Sequence, residues 1–119
     1  MALPLALIVE DNPQLNQIYG VALKEAFEVK SFQDAAPALD ALVETVPTLV
    51  VLDLHLPDLS GKTLIEKIRS DQRLAKTKIL LTTADVQMAD MLYEQADIVL
   101  LKPVSPNQLR ELARRLCAF

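Results

Sequence analysis

Five short apolar runs recur along the chain, and a stretch with helical spacing separates each from the next. The runs are Leu5 to Val9, Val29 to Phe32, Leu49 to Leu52, Ile79 to Leu81 and Ile98 to Leu101. They are rich in Val, Ile and Leu and mostly continuous rather than alternating, the pattern of strands covered on both faces. The second run is the weakest. Between them, Leu15, Ile18, Tyr19, Ala22, Leu23 and Ala26 share one helical face behind Asn12-Pro13, a capping residue followed by a proline. Helices also fit residues 35–45, 62–70 and 86–94, the second behind Ser60-Gly61 and the third behind Asp85. Ser105-Pro106 opens a last one, on which Leu109, Leu112, Ala113 and Leu116 align.

Strands alternating with helices predict an α/β fold with a parallel sheet wrapped on both faces. Right-handed crossovers leave few topologies for five units. The expected architecture is a flavodoxin-like (βα)5, a doubly wound five-stranded parallel sheet of strand order 2-1-3-4-5. A length of 119 residues predicts a single domain over 1–119. The net charge of −4 argues against direct nucleic-acid binding, which needs a basic face. Arg110, Arg114 and Arg115 read as the solvated side of the last helix. The lone Cys117 excludes an internal disulfide and fits a reducing, cytoplasmic setting. The apolar start lacks a basic leader region and stops at Glu10-Asp11, too short to span a bilayer, so a buried strand is expected and no membrane segment.

In such sheets the working crevice lies at the carboxyl ends of the strands, where the winding reverses. The first strand ends in Glu10-Asp11 and the third in Asp53. Three carboxylates at one crevice repel, and a hard cation taking oxygen ligands, Mg²⁺ or Mn²⁺, is the simple compensation. The fifth strand ends in Lys102-Pro103, whose ammonium could cross the crevice and whose proline is a candidate for a cis peptide. The fourth ends in Thr82-Thr83-Ala84, which offers a hydroxyl. Pro57 and Gly61 bracket a tight loop after Asp53. His55, the only histidine, has no Ser or Cys partner that would make a catalytic triad.

Together, Glu10-Asp11, Asp53, Leu56-Pro57-x-x-x-Gly61, Thr83-Ala84 and Lys102-Pro103 resemble the receiver domain of bacterial two-component response regulators. The likeness covers essentially the whole chain, and its specificity lies in the ordered set. The resemblance implies that Asp53 accepts a phosphoryl group from a sensor histidine kinase or a histidine phosphotransfer protein. It implies that Asp11, Asp53 and the His55 backbone carbonyl hold Mg²⁺ directly, with Glu10 acting largely through water. Lys102 would contact Asp53 and then the phosphoryl group, and Thr83 would swing in to hydrogen-bond it. His55 and Asp85, each two residues beyond a key position, would tune dephosphorylation. Phosphotransfer partners would dock near the first helix. A homodimer or downstream effector would use the face of the fourth helix, fifth strand and fifth helix. Such a domain is a phosphoacceptor that assists its own phosphotransfer and dephosphorylation rather than a conventional enzyme.

Two positions depart from the family pattern. Val99 stands where an aromatic is common, and Gln95 where glycine is frequent. The alternative reading is a non-switching pseudo-receiver that serves as a scaffold. A haloacid-dehalogenase-type phosphohydrolase needs an acid where His55 stands, and a nucleotide-binding domain needs a Gly-rich loop that a chain with only Gly20 and Gly61 lacks.

Overall fold

The structure, a computed structural model, describes residues 3–117. In chain order its elements are β1 (Leu5–Val9), α1 (Pro13–Leu23), β2 (Glu28–Phe32), α2 (Ala35–Glu44), β3 (Leu49–Asp53), α3 (Gly61–Ser70), a 3-10 turn (Gln72–Leu74), β4 (Lys78–Thr83), α4 (Val86–Leu92), β5 (Ile98–Leu101) and α5 (Pro106–Cys117). Every strand pair is parallel, and the order is β2-β1-β3-β4-β5, as the alternation predicts.

The capping signals act locally as their chemistry requires. Asn12 Oδ1 accepts from the amides of Gln14 and Leu15, both at 3.0 Å. Ser60 Oγ accepts from Thr63 N, Asp85 Oδ1 from Met88 N and Ser105 Oγ from Gln108 N. Each satisfies an amide that the first helical turn leaves without an intrahelical acceptor. α2 is the exception, because Asp34 makes no side-chain cap. Asp58, from the loop after β3, caps it instead, accepting from Ala35 N and Ala36 N at 2.8 Å each.

Side-chain alternation along the strands builds two cores. Leu7, Val9, Val50, Leu52, Ile79 and Leu81 face α2, α3 and α4. Ala6, Ile8, Leu49, Val51 and Leu80 face α1 and α5, where Tyr19, Leu23, Leu109 and Ala113 meet them. The three inner strands are buried, apart from the partly covered first residues of β1 and β4, Leu5 and Lys78. β2 and β5 lie at the sheet edges and are only partly covered, so two-sided burial does not extend to them. Val99 packs against the first core as a partly buried β residue.

α1 corrects the expected apolar face. Ile18 is 43% exposed while Asn16 is buried. Asn16 Nδ2 donates to the carbonyls of Glu10 (3.0 Å) and Phe32 (2.8 Å), so a polar side chain takes the inner position to satisfy two strand-end acceptors. α4 ends two residues short of the expected span, with the Gln95 and Ala96 amides both turning back to the Leu92 carbonyl.

Gly61 begins α3 directly against the loop after β3. Its amide donates to Leu54 O at 2.9 Å. A Cβ there would lie 2.6 Å from Leu54 Cα and 2.8 Å from the Asp53 carbonyl. Glycine is therefore needed for close approach.

Candidate functional site

Strand alternation decides which side chains meet. Glu10 extends the row of Ala6 and Ile8, Asp53 that of Leu49 and Val51, and Lys102 that of Ile98 and Leu100. All three emerge on the α1–α5 side at the carboxyl ends of β1, β3 and β5. Thr82 belongs to the same face and pairs in register with Asp53. Thr83, one residue on, belongs to the opposite face.

Carboxylate oxygens of Glu10, Asp11 and Asp53 lie within 4.8 Å of one another. Glu10 and Asp53 are buried, at 1% and 4% exposure, and Asp11 is exposed. Lys102 Nζ donates to Glu10 Oε1 at 2.7 Å and stands 3.4 Å from Asp53 Oδ2. Of the two acids, Glu10 is thus the nearer. The other oxygen of Asp53, Oδ1, accepts from His55 N at 3.3 Å. The Glu10 carboxylate also accepts from Asn12 N at 3.1 Å. The Lys102–Pro103 peptide is cis.

Burial pushes the Glu10 carboxyl up to about 7 against the bonds from Lys102 and the Asn12 amide, with a side-chain hydrogen bond to Asp11 and the Asp53 charge adding to the rise. Burial pulls the Lys102 ammonium down, but the Glu10 bond and the Asp53 charge outweigh it and hold it above the usual lysine value. The lysine is therefore charged at neutral pH and neutralises part of a concentrated negative site. Three oxygen donors this close suit a hard, oxygen-liganded divalent ion rather than a thiolate- or imidazole-liganded one.

The other anticipated residues sit differently. Thr83 is fully buried, and its Oγ1 accepts from Asp85 N at 3.0 Å, which ties it to the start of α4. The His55 ring is exposed on the loop. Spacing did not single out Asn16, which holds the Glu10 carbonyl from α1, or Asp58, which ties the loop after Asp53 to α2. A polar residue interrupting an apolar helical face was the available signal for Asn16. A cross-loop cap leaves no spacing signal.

Among the described residues, no helix is long and apolar enough to cross a membrane. Residues 6–114 match the family described as the response regulator receiver domain. The chain is 38% identical over 107 residues to the transcriptional regulatory protein GltR of Pseudomonas aeruginosa, covering 87% of this chain and 44% of that protein. It is 34% identical over 119 residues to the sensor histidine kinase TmoS of Ectopseudomonas mendocina, covering 98% of this chain and 12% of that one. It thus spans less than half the length of either relative. A crystal structure of a putative response regulator from Chloroflexus aurantiacus superposes with a TM-score of 0.90 at 25% identity, covering 98% of this chain and 99% of the other.

Proposed function

This chain belongs to the response regulator receiver family, and from that premise we propose that it is a phosphorylation-controlled switch in which Asp53 receives the phosphoryl group. The observation that carries the reading is the setting of Asp53. It is a buried carboxylate with one oxygen on a loop amide and the other facing a charged lysine, inside a cluster of three acids.

Phosphoryl transfer requires positioning and charge neutralisation more than covalent help from the protein. An Asp53 oxygen attacks the phosphorus of a phosphohistidine, and the P–N bond breaks with its electron pair going to the ring nitrogen; the ring, already protonated at its other nitrogen, leaves as neutral imidazole. The His55 amide holds the carboxylate in one orientation for that attack. Lys102 carries positive charge to the entering oxygens, and reaching them draws it away from Glu10. Asp11, Asp53 and the His55 carbonyl would hold Mg²⁺ (or Mn²⁺) directly, with Glu10 behind them. When bound, that ion supplies charge neutralisation at the phosphoryl oxygens. Thr83 must release the Asp85 amide to reach the phosphoryl group, which links acceptance to the beginning of α4. Hydrolysis of the acyl phosphate resets the switch, with His55 and Asp85 placed to set its lifetime.

The donor is a sensor histidine kinase or a histidine phosphotransfer protein in the cytoplasm. The output surface, for a downstream effector or a second copy, is the α4–β5–α5 face, where Val86, Met91, Tyr93 and Leu101 are exposed. The test is incubation with Mg²⁺ and acetyl phosphate, followed by intact mass. One phosphate should be added, and the adduct should disappear with EDTA or in Asp53→Asn. No Mg²⁺-dependent adduct from either acetyl phosphate or a phosphorylated histidine donor would overturn the reading.

A further inference from the structure

Folded proteins seldom leave buried hydroxyls unpaired. Among the described residues, Tyr19 Oη and Thr82 Oγ1 are buried without a hydrogen-bond partner. Both residues belong to the α1–α5 side of the sheet, the side from which Glu10, Asp53 and Lys102 emerge. Thr82 is the cross-strand neighbour of Asp53. Tyr19 lies one helical turn after Asn16, which touches the Glu10 carbonyl. Helical side chains tilt toward the helix N-terminus. The N-terminus of α1 follows directly from Glu10-Asp11, so the tilt carries the Tyr19 ring toward the acid cluster. The residue is 1% exposed.

An ammonium has three N–H donors. Those of Lys102 have two acceptors near them, Glu10 and Asp53, which leaves one donor unassigned. Resting on the reading of Asp53 as phosphoacceptor, we propose that Tyr19 is a positioning residue for Lys102, its phenol oxygen taking the third N–H when the phosphoryl group draws the ammonium off Glu10. The hydroxyl that has no partner at rest is then satisfied in the phosphorylated state. The phenol and the ammonium already sense one another: Lys102 opposes the rise that burial imposes on the Tyr19 phenol. Thr82, beside Asp53 rather than Lys102, is the matched comparison.

The experiment measures Mg²⁺ affinity, affinity for beryllofluoride as a phosphoryl mimic, and the acetyl phosphate labelling rate in wild type, Tyr19→Phe and Thr82→Val. In Tyr19→Phe, beryllofluoride affinity and labelling rate should each fall roughly tenfold, the worth of a hydrogen bond to a charged group. Mg²⁺ affinity should be unchanged and thermal stability equal or higher, because an unpaired buried hydroxyl has gone. Thr82→Val should bind and label like wild type. In a Lys102→Met background, Tyr19→Phe should cost nothing further. Wild-type-like beryllofluoride binding in Tyr19→Phe, or an equal loss with and without Lys102, overturns the role of Tyr19. A wild-type protein that neither labels nor binds beryllofluoride overturns instead the assignment of Asp53.

Discussion

Replacing Asn16 by alanine removes a tie between the body of α1 and the ends of two strands. The Asn16 side chain is buried, and its amide donates to Glu10 O at 3.0 Å and Phe32 O at 2.8 Å. The two losses are unequal. Phe32 O keeps a second donor, the Glu10 amide at 3.0 Å. Glu10 O keeps none among the described backbone bonds, so it is left as an orphaned buried acceptor. A lost bond costs about 0.5–1.5 kcal/mol and an orphaned buried acceptor about 1–3 kcal/mol. The sum for Asn16→Ala is therefore about 1.5–4.5 kcal/mol, with a middle value near 3 kcal/mol. For a domain of this size that lowers the melting temperature by roughly 10 °C. Urea titration followed by circular dichroism measures it, with Gln17→Ala on the exposed side of the same turn as the control, expected within about 0.5 kcal/mol of wild type. Asn16→Asp should be worse than alanine above neutral pH, because it sets a carboxylate against two carbonyl oxygens beside Glu10. An Asn16→Ala protein within 0.5 kcal/mol of wild type (about the scatter of a surface substitution) would refute the view that this side chain anchors the acid-bearing strand end.

Two further outcomes are expected. Asp58→Ala should destabilise the protein at pH 7, and the difference should close in acid. The two α2 amides hold the Asp58 carboxyl below its usual value, so its contribution is present above the unfolded-chain pKa and is lost as pH falls through the depressed folded value. Urea midpoints at pH 7 and near pH 2 would reveal a constant gap if the cap were not ionic. Gly61→Ala should cost about 1–3 kcal/mol, although alanine is otherwise the better helix residue, because its Cβ meets backbone atoms of Asp53 and Leu54 that cannot rotate away. It should also slow labelling of Asp53 by acetyl phosphate, and unchanged stability and labelling would mean that the loop yields freely.

What was legible in the sequence followed from period and order. Continuous Val, Ile and Leu runs alternating with helical patterns point to a parallel sheet covered on both faces, so the strand order and the meeting of Glu10, Asp11, Asp53 and Lys102 could be anticipated from where each run stops. Edges were less legible. β5 resembles an inner strand in apolar content, yet it has one neighbour, which no local pattern records; only the weak run of β2 hinted at an edge. Nor could helical spacing rank Asn16 above Ile18, since apolarity predicts burial while an unsatisfied carbonyl at a strand end demands an amide. Asp58 illustrates the same limit at longer range. Its acceptors serve a helix that begins more than twenty residues earlier in the chain, and only the folded loop brings them together.

The opposite facing of Thr82 and Thr83 has a consequence for how such a domain can diversify. One peptide unit separates the side of the sheet that holds the acids and the lysine from the side that packs against α4. The sheet therefore works as a partition. Substitutions on the α4 side can reshape the surface offered to a partner while leaving the acid cluster intact, provided Thr83 keeps its position. A single-residue insertion or deletion in β4 would do the reverse, exchanging the two sides and disconnecting acceptance from output without altering one acidic residue.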